Sequence, residues 1–322
     1  MGTLVDRFAV VVIAVAAMMW GTDTLFRIPL LGHLSHDALV GSVQLVFAEH
    51  VILTVAVLPI LWRARREIAR LGRSRWAAIV VIGAGASGLA TVLFTLSFTY
   101  GHFIETLLLQ KLQPLVALVL AALWLRERLP PRSYVWVPIA VVGAYLLAVP
   151  DPLHPELAWQ DFHVAAALTA IGAAALWGAG TVLGRYALAD VRFPTVTALR
   201  FVTALPALGI SLALVGGRAA FGVYRATDLP LYLGLALIPG LIAMLLYYRG
   251  LSSAPASMST LAELAFPITG VLVNMFLVTP PQSITSIQLI GTVVLWIAIA
   301  ALDLENARRP ARIEAAEALV SA

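Results

Sequence analysis

Ten stretches of mostly apolar residues divide this chain, and arginine gathers in the gaps between them. A helix needs about twenty apolar residues to cross a bilayer, which each stretch approaches. Hydropathy and helix breakers place the spans near residues 8–28, 41–62, 77–99, 104–125 and 133–149, then near 163–184, 194–215, 229–249, 257–278 and 283–302. The pattern predicts an all-α membrane protein. Hydrophobic residues make up 61% of the chain and charged residues 12%, against about 45–50% and about 25% in soluble domains. A compact soluble fold could not hide that much apolar surface. A net charge of +4 does not argue for nucleic acid here, because charge placed between apolar runs is a topology signal. The absence of cysteine removes disulfides, thiolate metal sites and cysteine nucleophiles.

Arginine placement orients the chain. Sixteen basic residues fall at one set of span ends: Arg7, the run from Arg63 to Arg75, Arg126, Arg128, Arg132, Arg185, Arg192, Arg249, Arg308, Arg309 and Arg312. Arg27, Arg218 and Arg225 fall at the other. The asymmetry predicts cytoplasmic termini and a bacterial-type inner membrane. Trp62, Trp76, Trp124 and Trp136 lie at the arginine-rich ends, as an interfacial belt would. Arg7 followed by the apolar run from Phe8 to Trp20 could suggest a signal peptide, with Ala14-Val-Ala16 as its cleavage site. Apolar character resumes after Asp23, so an uncleaved first helix is expected.

The chain also repeats itself. Trp20-Gly21 in span one is echoed by Trp177-Gly178 in span six, and Thr106–Val116 matches Ser259–Thr269 when Pro114 is laid on Pro267. Five spans per half would insert the second half upside down, an architecture used by secondary transporters with a midplane site. The expected organisation is a first repeat over 8–149, a second over 163–302 and a cytoplasmic tail over 303–322.

Gln110-Lys-Leu-Gln-Pro114 through Arg126-Glu-Arg-Leu129 resembles the fourth-helix signature of the EamA family in the drug/metabolite transporter superfamily. Tyr247–Ala256 and Ala262–Pro267 resemble the matching region of the second repeat, and the two Trp-Gly pairs resemble the family's first-helix motif. The resemblance implies ten helices in two tandem repeats and export or exchange of small metabolites. Thr279-Pro-Pro281 stands where the second half would carry a counterpart of Glu127.

Lys111 is the only lysine among twenty-one basic residues and lies within span four. An intramembrane charge costs about 2.5–3.5 kcal/mol on insertion scales and marks a functional site by default. At about 1.5 Å rise per residue, Lys111 and Glu49 both fall on the outer side of the midplane, with Glu263 and Arg200 on the cytoplasmic side. Equal depth predicts a Lys111–Glu49 pair and a Glu263–Arg200 pair. Asp23 is the competing partner for Lys111, unless Arg27, four residues on, satisfies it first. A purely structural role for these charges remains the rival, as does snorkelling by Arg200. Glu105 is expected to be solvated, and His50 and His102 to be interfacial or packed.

Gln110, Gln113 and Asn274 add neutral hydrogen-bonding groups to spans four and nine, while Trp20 and Trp177 form a candidate aromatic lining. Pro114 and Pro267 each free a helical carbonyl. The small-residue patterns Gly180-x-x-x-Gly184 and Gly83–Gly88 permit close helix approach. No HExxH, Gly-x-Ser-x-Gly or Walker A motif is present, so no enzyme, catalytic residue, metal site or cofactor is expected. The expectation is an alternating-access carrier for a small zwitterionic or amphipathic metabolite such as an amino acid, working as a monomer or homodimer with protons as a candidate coupling ion. A facilitative carrier for another metabolite class and a subunit without transport activity are the alternatives.

Overall fold

A computed structural model describes residues 8–124, 132–188, 191–251, 262–263 and 265–320. Among them the regular structure is helical. Helix α1 covers Ala9–Leu31, α2 Ala38–Ile68, α3 Arg73–Thr99, α4 residues 103–124 and α5 Ser133–Ala148. After a linker with one helical turn, Leu157–Gln160, α6 covers His163–Leu188 and α7 Phe193–Gly216; α8 covers residues 229–251, α9 Ala265–Phe276 and α10 Ser286–Val320. Helix α10 therefore continues through most of the segment expected as a tail. Arg7, Arg126, Glu127, Arg128, Ser259 and the start of span nine lie outside the described residues.

Six segments have the length and apolar character to cross a membrane: Ala9–Leu31, Ala38–Ile68, Arg73–Thr99, His163–Gly180, Phe193–Gly216 and Ala226–Tyr247. Three shorter apolar helices accompany them, at Tyr134–Ala148, Ala265–Phe276 and Ser286–Leu302. The chain is a multi-pass membrane protein.

Helix packing joins the two halves. Helices α2 and α7 run antiparallel and are tied at both ends. Near the C-terminus of α2, Glu67 accepts from Arg192 N at 2.6 Å, Arg192 Nε at 3.1 Å and Thr195 Oγ1 at 2.6 Å. Near its N-terminus, Gln44 Nε2 donates to the Ala220 carbonyl and the Gln44 carbonyl accepts from Tyr224 Oη. Helix α1 packs against α8 and α9, and α6 packs against α3 and α4. Each of these contacts has a counterpart when helices at the same position in the two halves are exchanged. The regularity extends to helix irregularities: α3 widens into a π-helical stretch at Ile82–Leu89, and α8 does so at Ala236–Ile242. The first coincides with the glycine run, where a Cβ at Gly83 would meet the Arg200 carbonyl at 2.9 Å. The second contains Pro239, which cannot donate to the helical ladder.

Helices α5 and α10 also cross antiparallel, at paired glycines. A Cβ at Gly143 would sit 2.7 Å from Leu295 N and 2.9 Å from the Gly291 carbonyl; one at Gly291 would sit 2.8 Å from the Gly143 carbonyl. Only glycine lets the two backbones approach this closely. Gly180 similarly faces Ala86, whereas a Cβ at Gly184 would meet nothing within 4 Å. Gly143→Ala is therefore expected to lower stability by about 1–3 kcal/mol, the usual cost of overpacking, while Gly184→Ala is tolerated. Thermal unfolding in detergent checks this, and equal melting points would contradict the tight crossing.

In the linker, the His154 ring donates to Asp151 Oδ2 at 3.0 Å, which holds the Asp151 carboxyl below its ordinary range.

Candidate functional site

Helix α1 is interrupted at Thr22, where Thr22 Oγ1 turns back to the Met19 carbonyl at 2.7 Å, and resumes at Asp23. The break follows Gly21, whose Cβ would lie 2.8 Å from Thr269 Cβ and 2.9 Å from the Phe266 carbonyl, so α9 crosses here. One function of the Trp20-Gly21 motif is thus to admit α9. The second segment runs on to Leu31, and this length keeps Arg27 inside the protein instead of at its edge.

Arg27 is only 2% exposed and joins three helices. Its guanidinium donates to both Asp23 oxygens, at 2.6 and 2.7 Å, to Glu49 Oε2 at 3.2 Å and to Thr95 Oγ1 at 2.8 Å. It also lies 5.8 Å from the centre of the Phe94 ring. The planar fork suits this task, since it holds one carboxylate bidentately and still reaches a second. The local Asp23–Arg27 pair, one of the two alternatives the sequence leaves open, is present. The expected Lys111–Glu49 pair is corrected: Glu49, 6% exposed, takes Arg27 as its cation. Rise per residue estimates depth along the membrane normal but says nothing about the direction in which a side chain projects. Arginine counting also places Arg27 with the external group, whereas the side chain is buried. An acid and a base spaced i,i+4 inside an apolar run are the signal for it in the sequence.

Next to this ion cluster lies an aromatic one. Phe94, Phe98, Phe103, Leu107 and Phe266 form a buried core with Trp20 and Trp177 packed against it, so α1, α3, α4, α6 and α9 all contribute. Trp177 meets Phe94 edge-on at 5.2 Å, and Trp20 meets Tyr247 of α8 at 5.0 Å. Both motif tryptophans therefore belong to one aromatic region.

Lys111 approaches the same region from α4. Pro114 has no N–H to offer the Gln110 carbonyl one turn earlier, and the helix tightens to a 3₁₀ turn over Gln110–Leu112. Lys111 sits in that turn, its Nζ 4.7 Å from the centre of the Phe266 ring. An ammonium over a ring face gains up to about 2 kcal/mol when desolvated. Gln110 Oε1 is buried with no hydrogen-bond partner, and Gln113 is half-buried at the start of the next helical segment. Glu263, the expected partner of Arg200, accepts the Tyr247 hydroxyl at 2.5 Å. Asn274 is fully buried; its Nδ2 donates to the Gly270 carbonyl at 2.7 Å and its Oδ1 has no partner.

Two expectations about peripheral groups resolve differently. His50 is packed, bonded to the Val46 carbonyl at 2.9 Å and to Ser87 Oγ at 3.3 Å. Glu105, expected to be solvated, is 3% exposed, because His163 from the other half covers it.

The residues around this centre can do three things chemically: stack on a flat ring, supply one ammonium, and offer amide and carboxylate acceptors. The model for the EamA-like transporter family matches residues 7–149 and 164–302. The Riboflavin transporter ImpX of Fusobacterium nucleatum is 30% identical over 292 residues, covering 88% of this chain and 95% of its own length. A Riboflavin transporter of Brucella anthropi is 23% identical, covering 65% of this chain and 69% of its own. A solved crystal structure shares the fold at a TM-score of 0.56 and 19% identity, covering 94% of this chain and 98% of its own. Two successive matches to one family model account for the internal repetition, and the chain belongs to the EamA-like transporter family.

Proposed function

We propose that this transporter carries riboflavin, or a similarly flat aromatic heterocycle, through the junction of α1, α3, α4, α6 and α9. The aromatic cluster carries this reading: Trp20, Trp177, Phe94 and Phe266 gather in one region, with the Lys111 ammonium over the Phe266 ring. Two relatives named as riboflavin transporters support it. A fused ring stacks on aromatic faces, while Lys111, Gln110, Gln113 and Asn274 suit its carbonyl and ring-nitrogen edge.

The reading includes ten spans in two inverted halves. Antiparallel packing of α2 with α7 and of α5 with α10, together with the matched π-helical stretches, supports that arrangement. Rocking of the halves about the central cluster gives alternating access, and arginine placement favours cytoplasmic termini in an inner membrane. Ion gradients or the substrate gradient drive the flux. A carrier of this kind runs both ways, so export and uptake differ only in the side that is loaded.

Purified protein in proteoliposomes provides the test, with riboflavin followed by its own fluorescence. Saturable flux well above that of protein-free vesicles is expected, with no flux of amino acids. Riboflavin flux equal to that of empty vesicles would overturn the reading. A dependence on an imposed pH gradient would add proton coupling.

A further inference from the structure

At the end of the molecule opposite the arginine-rich face, three metal-ligating side chains meet. His102 immediately precedes α4, Glu105 lies in its first turn, and His163 begins α6. One ligand atom from each lies within 4.8 Å of the other two. A tetrahedral ion with bonds of about 2.0–2.1 Å spaces its ligands about 3.3 Å apart, so modest side-chain rotation closes the gap.

The details favour an ion over a simple polar contact. Glu105 is almost wholly buried, yet Oε1 has no hydrogen-bond partner, while Oε2 lies 2.6 Å from His163 Nδ1. A buried carboxylate oxygen left unpaired is costly and calls for an additional positive or donating group. The His102 Nε2 lies 2.6 Å from the Asp161 carbonyl. That contact makes Nε2 the donor and leaves Nδ1 as a lone pair, which is how a backbone carbonyl commonly orients a metal-bound imidazole. The two imidazoles stack with centroids 3.6 Å apart, so one ring turns out of the stack for both nitrogens to point at the same ion. His102 is partly exposed, which leaves a path for entry and a fourth position for water.

We infer that His102, Glu105 and His163 bind one borderline divalent transition-metal ion of the Zn²⁺ type. Two imidazoles and one carboxylate suit that class better than Mg²⁺ or Ca²⁺, which prefer all-oxygen shells. The bound ion clamps the start of α4, the helix bearing Lys111, to the start of α6, the helix bearing Trp177. It joins the first half of the chain to the second at the mouth remote from the arginines. The effect on flux rests on the transporter reading above; the binding does not.

Full-length protein without a histidine tag is titrated in detergent with Co²⁺, whose visible ligand-field absorption reports nitrogen and oxygen coordination. One equivalent is expected to bind with a band that one equivalent of Zn²⁺ bleaches. His163→Ala and Glu105→Gln should each weaken binding by about 100-fold, and thermal melts establish that both variants are folded. No band in the wild-type protein, or unchanged binding in two folded variants, would overturn the inference. In riboflavin-loaded proteoliposomes, Zn²⁺ on the histidine side is expected to slow wild-type flux and to leave the His163→Ala flux unchanged. Binding without any effect on flux would retain the site and remove the clamp.

Discussion

Arg27→Ala should destabilise the protein more than any other single substitution among its buried charged residues. The guanidinium neutralises Asp23 and Glu49 and satisfies Thr95, all within the apolar part of the molecule. Its removal leaves two buried carboxylates without their cation. Breaking a buried ion pair by deleting one partner typically costs about 3–5 kcal/mol, a large share of a marginal folding free energy. The expected result is a sharply lower melting point in detergent, with aggregation during purification. Glu49→Gln removes one charge while keeping a hydrogen-bond acceptor for Arg27, and should cost much less. The triple variant Asp23→Asn, Arg27→Met, Glu49→Gln leaves no unpaired charge and should recover part of the loss, because an ionic cluster is often replaceable as a unit. An Arg27→Ala protein that melts like the wild type would show that the cluster does not hold α1, α2 and α3 together.

Lys111→Ala should have the largest effect on transport. If the ammonium donates to a carbonyl edge of the substrate, that charge-assisted bond contributes about 2 kcal/mol. Its loss would raise the half-saturation concentration for riboflavin about 30-fold. Helical circular dichroism should match that of the wild type, and a melting point measured alongside separates the transport effect from loss of the ammonium over the Phe266 ring. Wild-type flux at every riboflavin concentration would remove Lys111 from the site. Trp20→Ala and Trp177→Ala should also weaken transport, with Trp177→Ala additionally loosening its packing against Phe94.

Much of the fold is legible in the sequence because one quantity governs it. Apolar runs, their lengths and the arginines between them follow from the cost of placing charge and bare backbone in hydrocarbon. The helical segments accordingly fall close to the spans read from sequence, and the two Trp-Gly motifs and the Pro114 region sit around one centre. The Glu49 pairing is not legible in the same way. Hydropathy and rise per residue order groups by depth, which is one coordinate; a salt bridge at 3.2 Å also requires the azimuth of each helix and the direction of each side chain. The interruption at Thr22 shifts that geometry for Arg27, and the dip in apolar character at Gly21-Thr22-Asp23 does not say in which direction.

Glu105 makes the same point across the two halves. On its own helix it looks like a solvated first-turn acid, and only His163, 58 residues later, turns it into a buried ligand. Sequence was sufficient for membrane class, the approximate positions of the helical segments, internal repetition and family resemblance, since each depends on local composition or on matching residue order. Tertiary structure decided which charges meet, which glycines carry a crossing and where two histidines and a glutamate converge. Those outcomes depend on packing between helices far apart in the chain, where a rotation of one helix by a single residue exchanges one set of neighbours for another.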